Sequence, residues 1–282
     1  MSTNRMVSIN GSLVDAADSG ISPFDHGFIV GDGVFETLTT VRGVPFAWTR
    51  HYERLTRSAA GLGLAPPPSD DLRSAVDAVR EANALAEARI RITVTSGPGP
   101  LGSDRGTDGI TVVVAATTPT EWPATADVVV VPWTRNERGA MVGLKTISYA
   151  ENAIALAWAK ERGAGEAIFA NTQDRLCEGT GTNVYVVRDG RVATPPLSSG
   201  CLDGVTRQVL LLIAPDVGVE IEEIDLPIAA LADADEAFLS SATRGAQPIA
   251  HVDGRPVAAA PGPITEKLIA AYDDLLTRDL DP

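Results

Sequence analysis

The chain has 282 residues, 44% hydrophobic and 21% charged, the proportions of a soluble globular enzyme with material for one large core or two smaller ones. A formal net charge of −14 and a pI near 4.6 argue against a nucleic-acid phosphate track and would repel an anionic membrane surface. Two cysteines (Cys177, Cys201) and three scattered histidines (His26, His51, His251) give neither a disulfide framework nor a metal-ligand spacing. There is no signal-peptide core, and apolar runs such as Val128–Val131 are too short to cross a bilayer, so a cytoplasmic location is expected.

In chain order, residues 7–14 alternate around Asn10-Gly11 and predict a hairpin. Residues 21–33 read as a loop, 34–41 as a strand, and 48–62 as a helix with Tyr52, Leu55, Ala59 and Leu62 on one face. His51 and Arg54 fall beside that face. A second helix is predicted over 69–86, after Pro66-Pro67-Pro68, with strands over 89–96 and 110–117. Between them Gly97-Pro98-Gly99-Pro100-Leu101-Gly102 matches G-x-G-x-x-G, but two prolines fill it and no helix follows. It reads as a surface loop and not as a dinucleotide fingerprint. The polar stretch 119–126 marks a linker between an N-terminal α/β domain (1–118) and a C-terminal domain (127–282). In the latter, strands are predicted over 127–132, 166–170, 183–187 and 236–240, with helices over 148–162, 203–214 and 264–276.

The chain has only three lysines, Lys145, Lys160 and Lys267. Lys160 and Lys267 fit solvated helical positions. Lys145 follows the mostly apolar Met141–Leu144 and reads as buried, with a helix opened just beyond it by an S-x-x-E capping box, Ser148 and Glu151. Burial and a nearby helix N-terminus both favour the neutral amine, the nucleophile that condenses with an aldehyde such as pyridoxal 5′-phosphate (PLP). A snorkelling structural lysine is the alternative.

Three further groups suit that cofactor. The helix start Gly204-Val205-Thr206 presents backbone N–H groups and a hydroxyl to a phosphate, and Ser241-Ala242 after a strand and Arg54 can add to the cup. Glu178, among small residues between two strands, can pair with the pyridine nitrogen, or be a turn residue. Tyr149 can bond the ring oxygen, or simply pack.

Together these motifs resemble the fold-type IV PLP enzymes, or class IV aminotransferases. The resemblance rests on Gly31-Asp32-Gly33-Val34-Phe35-Glu36, His51-x-x-Arg54-Leu55 and Lys145-Thr146-x-Ser148-Tyr149-x-x-Asn152. It continues through Glu178-Gly179-Thr180-x-x-Asn183, Thr194-Pro195-Pro196-Leu197 and Leu202-x-Gly204-Val205-Thr206-Arg207. It implies a two-domain α/β (α+β) fold with PLP at the domain interface, residues 127–282 forming the PLP-binding domain, and a homodimer. It implies that Lys145 forms the Schiff base and shuttles the proton, that Glu178 holds the ring nitrogen and Tyr149 the ring oxygen. Arg54, Val205, Thr206, Ser241 and Ala242 would hold the phosphate.

Within the family, D-amino-acid transaminases carry Tyr where this chain has Phe35, and an Arg-x-His trap where it has Leu101-Gly102-Ser103. Thr37 resembles a threonine of the 4-amino-4-deoxychorismate lyases, so the leading expectation is that lyase, giving 4-aminobenzoate and pyruvate, with Thr37 catalytic beside Lys145. Phe35 and Arg244 are the substrate-side candidates. A D-amino-acid or branched-chain aminotransferase, also acting on a small amino substrate, is the alternative. A silent protein binding an anionic metabolite is the reading from another class.

Overall fold

The computed structural model describes residues 5–282 and divides them into two compact units. The first runs up to Thr120 and also takes in Leu144–Tyr149; the second holds Glu121–Gly143 and Ala150–Leu280. The lysine segment therefore packs with the N-terminal residues, although it lies far along the chain.

The first unit contains β1 (Met6–Ile9), β2 (Ser12–Asp15), the single-turn α1 (His26–Ile29), β3 (Gly33–Val41), β4 (Val44–Pro45), α2 (Trp48–Gly61), α3 (Ser69–Ala82), β5 (Arg89–Thr95) and β6 (Thr111–Thr117). Asn10 and Gly11 both take positive φ, 50° and 83°, as a two-residue hairpin turn between β1 and β2 requires. The strands form one antiparallel sheet in the order β2-β1-β6-β5-β3-β4. Val34, Leu38, Ile90, Ile92, Val94 and Val114 meet Leu55 and Ala59 of α2 and Leu72, Val76 and Val79 of α3 in one core. Each Val, Leu or Ile among them removed from water contributes roughly 1.5–3 kcal/mol.

Helix α3 stops at Ala82, four residues short of the predicted end. Asn83 ends it: its Nδ2 donates to Val79 O (2.7 Å) and Met6 O (2.8 Å), and its Oδ1 accepts from Met6 N. A side chain that bonds backbone groups itself competes with continuation of the helix.

The second unit contains β7 (Ala126–Arg135), α4 (Ala150–Glu161), β8 (Glu166–Asn171), β9 (Leu176–Gly179), β10 (Asn183–Arg188), β11 (Arg191–Thr194), α5 (Val205–Ile213), β12 (Ile221–Glu223), β13 (Glu236–Ser241), β14 (Gly245–Val252), β15 (Arg255–Pro256) and α6 (Pro263–Arg278). Its mixed sheet runs β12-β11-β10-β13-β14-β7-β8-β9, with β15 beside β14. Val129, Val131, Ala167 and Phe169 pack against Ala155 and Ala159 of α4, while Ile168, Leu176, Val184, Leu239 and Ile249 belong to a separate cluster. Alternation along β8 thus serves two cores, and all six of its residues are buried.

Strand β14 went unforeseen because Pro248 lies within it. The ladder tolerates that proline because pairing with β7 begins only at Ile249. Helix α6 starts on a carboxylate from a strand: Glu236 accepts from Ile264 N (3.1 Å), Thr265 N (2.8 Å) and Thr265 Oγ1 (2.7 Å). Among the described residues no helix is long and apolar enough to cross a membrane.

Candidate active site

In the first unit the candidate residues are sorted by the pleat of β3. Phe35 and Thr37 point to one face of the sheet, Val34, Glu36 and Leu38 to the other. Pairing with β5 sets Phe35 opposite Thr93 and Thr37 opposite Arg91, so these four side chains share the face away from the helical core.

The lysine segment runs along β3. Phe35 N donates to Lys145 O (3.0 Å), Ile147 N donates to Gly33 O (2.9 Å), and Lys145 N donates to Ser58 Oγ (3.0 Å). This places Lys145 Nζ 4.3 Å from the centre of the Phe35 ring. Tyr149 meets the same ring edge-on at 5.2 Å, and the Arg91 guanidinium carbon lies 3.8 Å from it. Lys145, Tyr149 and Arg91 thus converge on the Phe35 ring.

Two expectations about this segment are corrected. Lys145 is half-buried rather than buried, and Met141 upstream is exposed. The capping box does not form: Ser148 Oγ donates to Gly31 O (3.0 Å), Glu151 pairs with Arg135, and α4 begins at Ala150. The positive φ of Gly31 (69°) and its close approach to Ser148 make the sharp turn that receives this hydroxyl. Lys160 and Lys267 are exposed, as their helical settings imply.

Arg91 was missed by sequence reasoning. On β5 it occupies an ordinary polar position of an alternating strand. Its Nε donates to Thr93 Oγ1 (3.3 Å), and among the described residues it has no carboxylate partner. The residue as a whole is exposed, yet crowding around the guanidinium lowers its pKa through desolvation, an effect opposed by the Tyr149 phenol.

On the core side of the same strand lies a closed group of charges. Arg54 Nε donates to Glu36 Oε1 and its Nη2 to Glu36 Oε2, both at 2.8 Å, and His51 Nδ1 donates to Oε2 at 2.7 Å. All three residues are buried. Burial works against an ionised Glu36, but the charge and hydrogen bonds of Arg54, aided by His51, outweigh it and hold the carboxyl well below its usual range. For His51 burial wins over Glu36 and lowers its pKa, so the ring is a neutral donor rather than half of an ion pair.

In the second unit Glu178 lies on β9, opposite Phe169 of β8. Its Oε2 accepts from Leu202 N (2.8 Å), and Arg135 Nε stands 3.4 Å from Oε1 while its guanidinium stacks on Phe169. Glu178, read from the sequence as lying between two strands, is therefore on a strand of its own, which fixes the carboxylate. Asn183 Nδ2 donates to Leu202 O (2.8 Å), and a Cβ on Gly204 would lie 2.0 Å from Asn183 Oδ1, so only glycine fits there. Helix α5 then opens without a side-chain cap, and its first-turn N–H groups, at Val205 and Thr206, are the donors an anion would take. Thr206 is buried and bonded to Tyr272, whose phenol is pushed up to about 12 mainly by burial. Ser241 ends β13 and Ala242 begins the turn into β14. Cys177 and Cys201 are buried, and burial raises both thiols, Cys201 to about 11, so neither is an activated nucleophile.

Arg244, the second substrate-side candidate, is engaged by residues of its own unit. It donates to Gln247 Oε1 (2.7 Å) and to the buried Glu166 (3.2 Å), and it stacks on Trp122 at 3.7 Å. With Gln247 Nε2 donating to Pro123 O, it fastens the 122–123 segment to β14. These contacts make the Arg244 side chain a structural clamp on that segment.

Taken by itself, the first unit offers an amine and a buried arginine, and the second a fixed carboxylate and uncapped helix N–H groups, the kinds of group that PLP calls for. A sequence model of the family described as amino-transferase class IV matches residues 33–252. The chain belongs to the class IV aminotransferases. It is 32% identical over 277 residues to a putative branched-chain-amino-acid aminotransferase of Methanocaldococcus jannaschii, covering 96% of each chain. It is 30% identical over 289 residues to a D-alanine aminotransferase of Listeria monocytogenes, again covering 96% of each. Its fold matches the branched-chain amino acid aminotransferase of Escherichia coli with a TM-score of 0.91 at 27% identity, covering 97% of this chain and 95% of that one. The two-domain α/β fold is therefore that of fold-type IV, and the protein is a PLP-dependent enzyme.

Proposed function

We propose that this class IV aminotransferase moves the amino group of an aliphatic α-amino acid to a 2-oxo acid, with Arg91 receiving the substrate carboxylate. The observation that carries the reading is the Arg91 guanidinium, 3.8 Å from the Phe35 ring that also bears Lys145 Nζ. In a chain with 37 acidic residues, an arginine beside the reactive amine without a carboxylate of its own among the described residues is suited to a ligand's. The relatives reported above are named for alanine and branched-chain amino acids, which have uncharged aliphatic side chains.

PLP, when bound, supplies an aldehyde that carries the amino group and a ring that takes up the electron pair of the substrate α-carbon. Lys145 is assigned the covalent hold and, once released, the movement of the α-proton at Nζ. Glu178, fixed by Leu202 N and faced by Arg135, is assigned the ring nitrogen, and Tyr149 the ring oxygen. Arg54, the Val205 and Thr206 N–H groups, Ser241 and Ala242 are assigned the phosphate. Phe35 forms the wall between Lys145 and Arg91.

The lyase reading is second, favoured by Thr37, which stands directly opposite Arg91 on that face. The test supplies the purified protein with alanine or leucine, each enantiomer separately, and 2-oxoglutarate. Glutamate formation with at least one of them is expected. Failure with all four, alongside release of 4-aminobenzoate and pyruvate from aminodeoxychorismate, would transfer the assignment to the lyase. Arg91→Leu should raise the KM for the amino acid about tenfold or more while barely affecting an amine donor that lacks a carboxylate.

A further inference from the structure

Helix α2 places His51 and Arg54 three residues apart on its buried face, where β3 presents Glu36 between the core residues Val34 and Leu38. A carboxylate at a core-facing strand position is costly. Replacing a whole buried ion-pair network by apolar side chains of similar volume is often neutral or stabilising, so fold stability alone gives little reason for the network. The geometry gives a better one. Glu36 grips Arg54 side-on through Nε and Nη2, at 2.8 Å each, which fixes both the plane and the rotation of the guanidinium. His51 Nδ1 fixes the carboxylate in turn, at 2.7 Å.

The next residue along β3 sets the lysine. Phe35 N holds Lys145 O, and the Phe35 ring lies beside Lys145 Nζ. One dipeptide of one strand therefore orients both the amine assigned to the cofactor's aldehyde and the arginine assigned to its phosphate.

We infer that Glu36, itself held by His51, is a positioning residue that pre-sets the Arg54 guanidinium for the phosphate of PLP. This rests on the reading that Arg54 takes that phosphate. An arginine already locked in one orientation pays little ordering entropy when the anion arrives, whereas an unanchored one pays it on binding.

The test is a double-mutant cycle on cofactor affinity, using Glu36→Gln, Arg54→Ala and the pair. Dissociation constants are measured from the yellow absorbance of the reconstituted protein for two probes: PLP, and pyridoxal, which has the same aldehyde and no phosphate. Glu36→Gln should weaken PLP about tenfold and leave pyridoxal within about twofold. With Arg54 already removed, it should add less than about twofold to the PLP loss. Should Glu36→Gln fold poorly, Glu36→Asp keeps the charge while withdrawing it by one methylene, and an intermediate loss confined to PLP is expected.

Equal losses for PLP and pyridoxal would make Glu36 merely structural and overturn the inference, as would fully additive losses in the pair. A protein in which Arg54→Ala leaves PLP affinity unchanged would instead refute the phosphate reading of Arg54, and the role of Glu36 would fall with it. Failure of either probe to colour the wild-type protein would strike at Lys145.

Discussion

The two faces of β3 handle positive charge in opposite ways. On the core face, Arg54 is buried and bound through two nitrogens to a carboxylate built into the same unit. On the other face, Lys145 and Arg91 gather at the Phe35 ring, and Arg91 has no carboxylate from the described residues. A charge that must stay buried in every state of the protein needs a permanent counter-ion, because an unpaired one costs several kcal/mol. A charge kept for a substrate is better left without one, since an internal carboxylate would compete with the ligand. The same strand thus carries a closed network and an open one, separated only by the pleat.

The comparison predicts which substitutions damage chemistry and which damage the fold. Lys145→Ala should lower transamination at least about 10³-fold and abolish the yellow absorbance that borohydride bleaches, whereas Lys160→Ala, on the exposed last turn of α4, should change neither. A Lys145→Ala protein that still turns over at a tenth of the wild-type rate would move the reactive amine elsewhere. On the core face, Glu36→Leu strands Arg54 without its partner and should cost about 3–5 kcal/mol in chemical denaturation. Arg91→Leu, on the open face, should stay within about 0.5 kcal/mol of the wild type in the same measurement. Its penalty belongs in KM. If the two variants lost equal stability, the distinction between closed and open networks would collapse.

How much of this was legible beforehand follows the same division. The hairpin at Asn10-Gly11, strand β3 and helix α2 announced themselves through local signals: turn residues, a repeat of two and a repeat near 3.6, while rarity singled out Lys145 as a candidate. Glu36, His51 and Arg54 were visible as letters in motifs. Their mutual contact was not, because helical periodicity assigns charged residues to the solvent side and gives no sign that β3 supplies a buried counter-charge. Arg91 left even less trace, since a polar residue in an alternating strand looks the same whether it faces water or an aromatic ring shared with a lysine. Arg244 shows how partners distant in sequence stay hidden. It stands near Ser241-Ala242 in sequence, but long-range partners, Glu166 and Trp122, consume it. Strand β14 was hidden by Pro248, whose tolerance depends on where the neighbouring strand begins to pair.

The closed network also leaves a signature in the acid response of the fold, the smallest of the expected effects. His51 is neutral in the folded protein because burial outweighs the pull of Glu36, so its pKa there lies below the ordinary 6.5. The unfolded chain takes up a proton at that ordinary value. Stability is therefore full above about pH 6.5 and falls as pH drops below it, by up to about 1 kcal/mol per pH unit until the folded ring itself protonates. Glu36 acts at lower pH: its folded pKa is depressed below the ordinary 4.5, so its contribution is present above that value and is lost as pH falls further. His51→Gln keeps a donor for Glu36 but has nothing to protonate. Its stability should track that of the wild type at pH 7.5 with a constant offset and then decline less steeply between pH 6.5 and 5. Parallel curves for the two proteins across that interval would mean that His51 already shares the charge of the network, and that Glu36 is balanced by two cations rather than one.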